Sequence, residues 1–587
     1  MGNMGPQTRK LDETSAQKRP WYAGIILGLA LAAGCSGTVS APTQVEKGSA
    51  GDVGPARPPQ NESPIDGPDG PPATLRPAPA HIRRLTAVEI SNSVRDAFFA
   101  GSQPAQVNII DEVARHNFDN VFEGLDVSVP FALQLATGAE AVAGQVIKML
   151  PTVLPCAKDI AQDQEHACLG EFITRYGRRM FRGKVTLDQR AALQALYDQA
   201  RPRGDFATAM GVVVEGMMHS PTFLFRTEIG GAPGEAVSPL TSQEIASALS
   251  YFLWRSGPDD ALLDAADVGL RTRNSILEQA HRLLGDVRAR GAVRDFFWQW
   301  LEISDIARGV SKNDLLFSPA LVTSMLEESR LLIEDVAFGN RKGSFADLLT
   351  AANTFADGNV GQLYGGVVTK GSTFNPLTLD KTRRLGLLTT PAFIAAQTSS
   401  ARFSPIFPGV FVRRKMFCQV LPEPPPGIPP PSIDPNLTTR ERFAAHSDSP
   451  SCQACHKSID DIGWAFERFD VIGRDRDTEK VGDRTVALSA RGKLVDTDVD
   501  GTFEGAPELV TKLANSQMVH DCFVSHLLEF MLGRDTGNID DRLPVDKGSI
   551  AAVAAEVPRE ALIDVLAALT VTDSFLYRDA RNFPGGL

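Results

Sequence analysis

The residues that most clearly suggest chemistry lie in one short stretch, SPSCQACHKSIDDIGWAFERFD, at positions 449–470. It contains Cys452, Cys455 and His456 in a C-x-x-C-H arrangement. Two thiols at this spacing reach the two vinyl groups of one haem, and the histidine that follows coordinates its iron from the same turn. With 7 Cys and 9 His among 587 residues, chance would produce this motif in roughly one chain per thousand. The motif therefore predicts one covalently attached haem c.

Two other structures would use the same cysteines. Cys452 and Cys455 together with His520 and Cys522 would supply four tetrahedral ligands for zinc. A disulfide between the two motif cysteines is the third alternative. Either one would make the motif a structural staple in a non-redox surface protein, for example one associated with polysaccharide.

The ligand opposite His456 decides between electron transfer and catalysis. An iron with two protein ligands shuttles electrons, whereas an open position binds peroxide or oxygen. Met518 is the predicted distal ligand, because it follows His456 by 62 positions, a separation resembling that in small cytochromes c. It also shares a helical face with Cys522 and His526. His446, which closely precedes the motif, is the alternative. The full set of distal candidates is His446, Met518, His520, His526 and Met531.

The first 35 residues have the pattern of an export signal. Lys18 and Arg19 precede the apolar run WYAGIILGLALAA, which is shorter than the roughly 20 residues that a bilayer span needs. Cys35 directly follows Ala-Ala-Gly and resembles the lipidated cysteine of bacterial lipoproteins. We expect a lipid anchor at Cys35 and a cell-envelope location at the outer membrane, on its periplasmic or its surface face. A plain secreted protein is the alternative.

Composition limits the partners. The net charge of −12 and the pI near 5.4, without a cluster of Lys and Arg, argue against nucleic acid. The membrane, through the lipid anchor, and a redox partner protein are the expected partners. No phosphate-binding loop, G-x-S-x-G or H-E-x-x-H motif occurs, so the commonest hydrolase signatures are absent from the sequence. Residues 36–80, rich in Pro and Gly, predict a flexible tether.

The chain has seven cysteines, and in an oxidising compartment we expect none of them to remain a free thiol. If Cys35 carries lipid and the motif cysteines carry haem, four remain. Cys156 and Cys168 flank one polar loop and favour a local bridge, which leaves Cys418 and Cys522 for each other. Four cysteines allow three pairings, and the sequence alone does not choose among them.

The rest of the chain predicts a mainly α fold with few short strands. Capping boxes at Thr86/Glu89, Thr186/Gln189 and Thr241/Glu244 indicate three helix starts. Short strands are expected near 484–505. The aromatic groups FFWQWL and YFLW predict core packing. Amphipathic runs cover 205–218, 272–301, 318–338, 381–397, 506–533 and 549–570.

Two acidic groups are candidate cation sites. Asp496, Asp498 and Asp500 match the opening of a calcium loop, but Pro507 stands where the bidentate Glu belongs, so a solvated turn is favoured over calcium. The second group predicts a solvated helix face rather than a metal site, and it consists of Glu327, Glu328, Glu334 and Asp335.

The segment Thr438–Arg476 resembles the haem-motif module of a family of large exported proteins, the domain-of-unknown-function series 1587, 1595, 1592, 1588 and 1585 of planctomycetes and myxobacteria. Asp461 and Pro408 depart from that family's usual Pro and Arg, which puts a local turn and a charge contact in question. Further segments are similar to the other modules in the same order, namely Arg83–Phe98, Cys168–Gly183, Ser220–Gly230, Leu240–Leu263, Arg383–Gln397 and a closing part at about Glu508–Tyr577.

The resemblance implies a cell-envelope haem protein with a role in electron transfer or another haem-dependent redox step. It does not decide whether the chain is an oxidoreductase. Together with the motifs, it predicts a signal peptide at 1–35, a tether at 36–80, helical modules at 83–150, 151–232 and 238–375, a module with a proline strap and the C-x-x-C-H motif at 381–485, and a closing helical module at 506–580.

Overall fold

The computed structural model confirms a mainly α protein with few short strands. It describes residues 74–99, 107, 109, 117–365, 371–399, 401–423, 431–432, 434–447, 450–536, 542–557 and 559–583. The predicted signal peptide, Cys35 and most of the tether lie outside these residues, as does much of the proline strap. Among the helices that the structure describes, none is long and apolar enough to cross a membrane.

Helices account for most of the elements. The α-helices are α1 Ala87–Phe98, α2 Val129–Val153, α3 Glu165–Phe172, α4 Arg178–Met180, α5 Leu187–Ala200, α6 Phe206–His219, α7 Pro221–Leu224, α8 Ser242–Trp254, α9 Asp260–Val268, α10 Arg273–Leu284, α11 Val287–Trp300, α12 Pro319–Phe338, α13 Phe345–Leu349, α14 Pro391–Ala396, α15 Ile406–Phe411, α16 Thr439–Ser447, α17 Pro450–Gly463, α18 Gly505–Asn515, α19 Gln517–Leu532, α20 Pro544–Glu556, α21 Leu562–Leu569 and α22 Asp573–Leu576. Short π-helical turns occupy Ile173–Gly177 and Val412–Met416.

The strands form five two-stranded sheets, β1 with β2, β3 with β10, β4 with β5, β6 with β7 and β8 with β9. Three of the strands lie in the predicted region 484–505, which confirms short strands there. Their bounds are β1 His81–Arg84, β2 Phe225–Glu228, β3 Ser238–Pro239, β4 Asn353–Ala356, β5 Asn375–Thr378, β6 Thr478–Val481, β7 Arg484–Ala487, β8 Arg491–Leu494, β9 Gly501–Glu504 and β10 Tyr577–Arg578.

All three predicted capping boxes are confirmed. The Thr86 hydroxyl accepts from the Glu89 N–H at 3.1 Å, and the Glu89 carboxylate accepts from the Thr86 N–H at 2.9 Å. The same reciprocal pair starts α5 at Thr186 and α8 at Thr241. Each box satisfies two backbone donors that a helix start leaves without partners, so these helices begin where the sequence predicts.

The predicted helix at 381–397 is mostly wrong. Only the short turn Leu387–Thr389 and α14 are helical there. Gly386 has φ of 66°, which breaks the helix on its N-terminal side. Pro391 then forces Thr390 into an extended conformation with ψ of 147°, so α14 begins there as a separate helix.

The described chain separates into two compact units. Of the described residues, the first unit contains 94–99, 107, 109 and 127–225, and in it α6 packs against α2 and α5. The second unit contains 74–93, 117–126 and the described residues between 226 and 583. The boundaries of the smaller modules predicted from the sequence stay predictions.

The second unit has a large aromatic core. Phe296, Phe297 and Trp300 of α11 are buried, and each ring contacts Phe523 of α19. Tyr251 to Trp254 of α8 are buried as well. The two aromatic groups therefore form core packing, as predicted.

Among the described residues, each unit has a disulfide. Cys156 and Cys168 are joined in the first unit with an Sγ–Sγ distance of 2.03 Å. Cys418 and Cys522 are joined in the second at 2.02 Å. The second bond ties α19 to the residues that follow the π-helical turn Val412–Met416. These are the two pairs that the positions of the cysteines in the sequence favour.

Candidate functional site

The C-x-x-C-H motif lies on the first half of α17, in the second unit. Cys452 and His456 are four residues apart and therefore share one face of the helix, and both are partly exposed. Cys455 occupies the same turn, and its side chain lies outside what the structure describes. The motif histidine is thus presented beside the first motif cysteine at the protein surface.

Asp460 orients His456. The Nδ1 atom of His456 lies 3.1 and 3.2 Å from the two carboxylate oxygens of Asp460, one helical turn further along. Asp460 is only 9% exposed, and burial raises the pKa of its carboxyl to about 6 against the opposing effect of His456. Because Nδ1 is engaged, Nε2 is the nitrogen left for a metal, an arrangement usual for metal-bound histidine.

A second histidine faces the motif from the preceding helix. His446 lies near the end of α16, and its ring centre is 5.2 Å from that of His456, with the two planes at 86°. Burial, together with the neighbouring His456, lowers the pKa of His446. A lowered pKa favours the neutral imidazole, which is the form that binds metals.

The motif helix borders an open groove of about 440 Å³. Trp464 forms an aromatic wall, and the guanidinium of Arg440 lies 4.3 Å from its ring centre. Arg440 also pairs with the buried Glu467 at 3.1 Å, and burial raises the pKa of Glu467 to about 7 despite that pairing. The groove is lined by Arg440, Ala444, Ser447, Gln453, His456, Lys457, Asp460, Asp461 and Trp464.

Two glycines hold α17 in place. A Cβ on Gly463, the last residue of α17, would overlap the carbonyl oxygen of Pro405, and a Cβ on Gly409 of α15 would overlap that of Ile459. The backbones of α15 and α17 therefore approach too closely for any side chain at either position. Asp461 and Pro408, the two departures from the family pattern, are accommodated inside these helices.

The other distal candidates lie on α19. Met518 packs against the core, and its backbone N–H donates to Asp498 at 3.2 Å. His520 and His526 are buried, and His526 Nε2 is 3.6 Å from the Cys418 sulfur. Of the residues that the structure describes, none of Met518, His520, His526 and Met531 lines the groove beside His456. Among the sequence candidates, the structure brings only His446 to the motif.

The zinc set proposed from the sequence loses a ligand, because Cys522 is bonded to Cys418. A thiol in a disulfide is not a thiolate ligand. Within the described chain, the potential ligand group whose donor atoms all lie within 4.8 Å of one another is Cys418, Cys522 and His526. It includes that disulfide and not Cys452, and the Cys455 side chain lies outside the described residues. With Cys522 in a disulfide, the four-ligand zinc set predicted from the sequence is incomplete.

The aspartates of the candidate calcium loop are used within the protein. Asp498 accepts from the Ser516 hydroxyl and the Gln517 N–H, so it caps the start of α19. Asp500 accepts from the backbone and hydroxyl of Thr497 at 2.8 and 2.9 Å, and Asp496 adopts a left-handed conformation with φ of 59°. These contacts use the acidic side chains within the turn, and the preference for an acidic turn over a calcium loop stays a prediction.

The solvated-face interpretation of the acidic run on α12 is wrong for one residue. Glu328 is 0% exposed, and it accepts hydrogen bonds from Thr354 at 2.8 Å and from Tyr364. Burial raises its pKa to about 7, against the lowering effect of those hydrogen bonds. Glu327 and Glu334 do lie at the surface side of the helix, where both pair with Arg330.

Three protein-family profiles match the chain, each with the description of a protein of unknown function. DUF1595 covers residues 168–228, DUF1592 covers 240–365, and DUF1588, with the short name PSCyt3, covers 384–479. Their order is the order of the modules that the sequence resembles, and the last match contains the C-x-x-C-H motif. The three matches support the resemblance of the chain to this multi-module series. No curated protein and no solved structure matches it significantly.

Proposed function

We propose that this chain is a cell-envelope electron-transfer protein with one covalent haem c at Cys452, Cys455 and His456. The observation that supports the proposal most is the histidine pair. His456 has its Nδ1 engaged by the buried Asp460, and the ring of His446 lies 5.2 Å away, centre to centre. Two imidazoles on adjacent helices, one of them following two cysteines on the same turn, are the donor types that a haem iron takes.

Each residue of the site has a separate task in this proposal. Cys452 and Cys455 would form the thioether bonds that tie the haem to α17, and His456 Nε2 would be the proximal ligand. Asp460 holds the proton on Nδ1 and keeps the imidazole in one orientation. Trp464 lines the groove with an aromatic surface that would contact the haem, and Arg440 and Lys457 would supply positive charge for its carboxylates. A haem bound here would carry single electrons by cycling between ferric and ferrous iron.

The geometry favours His446 over Met518 as the distal ligand. His446 already contacts the motif histidine, whereas Met518 lies on α19 with its backbone fixed by Asp498. Iron with two histidine ligands has no open position for peroxide or oxygen, so electron transfer is preferred to an oxidoreductase reaction on a substrate.

Ligand identity is tested by optical spectra of the oxidised protein, after expression together with haem-attachment machinery. We expect no near-infrared thioether band in the parent and an unchanged spectrum in Met518→Ala. His446→Ala should lose the six-coordinate spectrum while the haem stays attached. His166→Ala is the matched control, since this histidine pairs with Asp198 in the first unit at 2.9 Å. A thioether band that disappears in Met518→Ala would restore Met518 as the ligand.

Anchorage of the protein by lipid on Cys35 is the second part of the proposal, and it rests on the N-terminal sequence. A tether of this composition would let the folded units reach a redox partner beside the membrane. The rival function, a non-redox surface protein, requires the motif cysteines to form a disulfide. Peptide mapping after expression with haem-attachment machinery separates the two, because thioether-modified cysteines do not appear as a disulfide-linked peptide.

A further inference from the structure

A second cleft in the same unit carries an unusual concentration of arginine. It has a volume of about 520 Å³ and shares no lining residue with the groove beside His456. It lies between the start of α16, the loop before α15, the residues after Phe469 and the β6–β7 hairpin. Arg402, Arg442, Arg474, Arg476 and Lys480 line it.

The carboxylates of this cleft are already engaged. Asp470 and Asp314 both pair with Arg474, and the Asp470 contact is 2.6 Å. Glu479 accepts from the backbone N–H of Thr439 at 3.0 Å and from its hydroxyl at 2.8 Å. The charge of Arg474 is therefore compensated inside the cleft, and Glu479 is used to hold the start of α16.

Arg442 and Arg476 have no direct ion pair of this kind, and Glu479 acts on both of them only from a distance. Arg442 is 8% exposed, donates to the Thr439 hydroxyl at 2.8 Å, and has an Nε with no hydrogen-bond partner in the described chain. Arg476 donates to the Glu467 carbonyl at 3.1 Å, and its Nε also has no partner there. No carboxylate oxygen of the described residues lies within 4.0 Å of either guanidinium. Burial lowers the pKa of both guanidinium groups; Arg402 and Arg476 add to this effect at Arg442, and Glu479 opposes it at both.

Two nearby guanidinium groups without a direct ion pair are costly inside a protein, because each loses hydration and the more distant carboxylates compensate its charge only in part. An anion in the cleft would remove that cost. Guanidinium groups recognise carboxylate and phosphate through two parallel hydrogen bonds, and an anion in the cleft would have to use the terminal N–H groups of Arg442 and Arg476, because their Nε atoms are buried from solvent.

We propose that this cleft binds the oxyanion group of a small solute, a carboxylate or a phosphate, through Arg442 and Arg476. The site is independent of the haem proposal, since it uses none of the residues beside His456. The same chemistry is offered by inorganic phosphate and by the carboxylates of a uronic-acid oligosaccharide, so both are used as probes.

Isothermal titration of the full chain with phosphate, and separately with a uronic-acid oligosaccharide, tests the site. We expect saturable binding of at least one probe, weakened tenfold or more in Arg442→Met and in Arg476→Gln. Binding of phosphate assigns a free oxyanion, and binding of the oligosaccharide alone assigns an acidic sugar. Arg308→Gln is the matched control, because Arg308 is exposed in the same unit and pairs with Asp305.

Thermal unfolding without added anion separates binding from a structural role. Removal of a buried charge that lacks a direct ion pair should leave the unfolding temperature of Arg442→Met unchanged or raise it. Parent protein that binds neither probe would overturn the proposal. So would equal binding by the parent and by the Arg442→Met/Arg476→Gln double variant.

Discussion

At the scale of single residues, the contact between His456 and Asp460 determines which imidazole nitrogen is available to a metal. The contact is predictable from the sequence, because His456 and Asp460 are four residues apart and residues at that spacing share a face of a helix. The approach of His446 was harder to predict, since it depends on how α16 packs on α17. Met518 was preferred on its separation from His456, and chain separation alone does not determine which helix lies beside the motif.

Glu328 shows a signal that the sequence analysis missed. The buried residues Leu321, Met325, Glu328 and Leu332 recur at helical spacing on α12, so Glu328 belongs to the apolar stripe of that helix. The cluster of acidic residues predicts a solvated face, but the position of Glu328 on the apolar side of the helix determines that its side chain is buried. Thr354 and Tyr364, which satisfy one carboxylate oxygen, come from later segments of the chain.

We predict that Glu328→Gln changes how stability depends on pH. The folded pKa is about 7 and the ordinary value is 4.5, so between these values the folded chain binds more protons than the unfolded chain. The unfolding free energy of the parent should therefore fall, relative to Glu328→Gln, by about 3 kcal/mol as pH rises from 4.5 to 7.

Urea unfolding followed by tryptophan fluorescence measures this difference, because Trp254, Trp298 and Trp300 belong to the same unit. Glu327→Gln is the matched control. The Glu327 carboxylate pairs with Arg330 near the surface, so this variant should show no such dependence on pH. Parallel pH curves for the parent and Glu328→Gln would contradict the assignment of a buried, protonated Glu328.

At the scale of elements, helix starts were more predictable than helix interruptions. A capping box is local, so residues three positions apart are enough to identify it. The interruption at 381–397 depends on Gly386, where a side chain would overlap the Leu349 carbonyl oxygen. That contact joins residues far apart in the chain, and the periodicity of the segment does not reveal it.

The close contact between α15 and α17 leads to a prediction for Gly463→Ala. The new methyl group would overlap the Pro405 carbonyl, so the motif helix must shift, at a cost of roughly 1–3 kcal/mol. We expect a lower unfolding temperature, and a smaller fraction of chains with attached haem because the histidine pair is displaced.

Gly291→Ala provides the control for that substitution. Gly291 lies within α11, and a Cβ there would have no atom within 4 Å. The change should stabilise the protein by about 0.5–1 kcal/mol, as expected for Gly to Ala inside a helix. If both variants were equally stable and equally loaded with haem, the close approach would not position the motif.

At the scale of the whole molecule, the sequence was informative about class and less so about long-range geometry. The mainly α fold and the order of the family modules could be predicted from it, whereas it favoured the two disulfide pairs without excluding the other pairings. The arginine cleft could not, because its lining residues are spread from 313 to 482 and meet only in the folded unit.

Membrane attachment is predicted to depend on Cys35. The cysteine follows a short apolar segment and Ala-Ala-Gly, so the parent should sediment with membranes after expression in a bacterial host that has lipoprotein-processing enzymes. Cys35→Ala should move the protein to the soluble envelope fraction, while Cys35→Ala and parent should be equally folded. Identical fractionation of the two would argue against a lipid anchor at this position.

The central claim is that Cys452 and Cys455 hold haem covalently. The most direct test is the intact mass of the denatured protein, purified after expression with haem-attachment machinery and compared with Cys452→Ala/Cys455→Ala. We predict that the parent gains the mass of one haem, which survives denaturation and gives a c-type pyridine haemochrome, and that the variant gains none. A parent chain without added mass, whose two motif cysteines are recovered as a disulfide, would contradict the account.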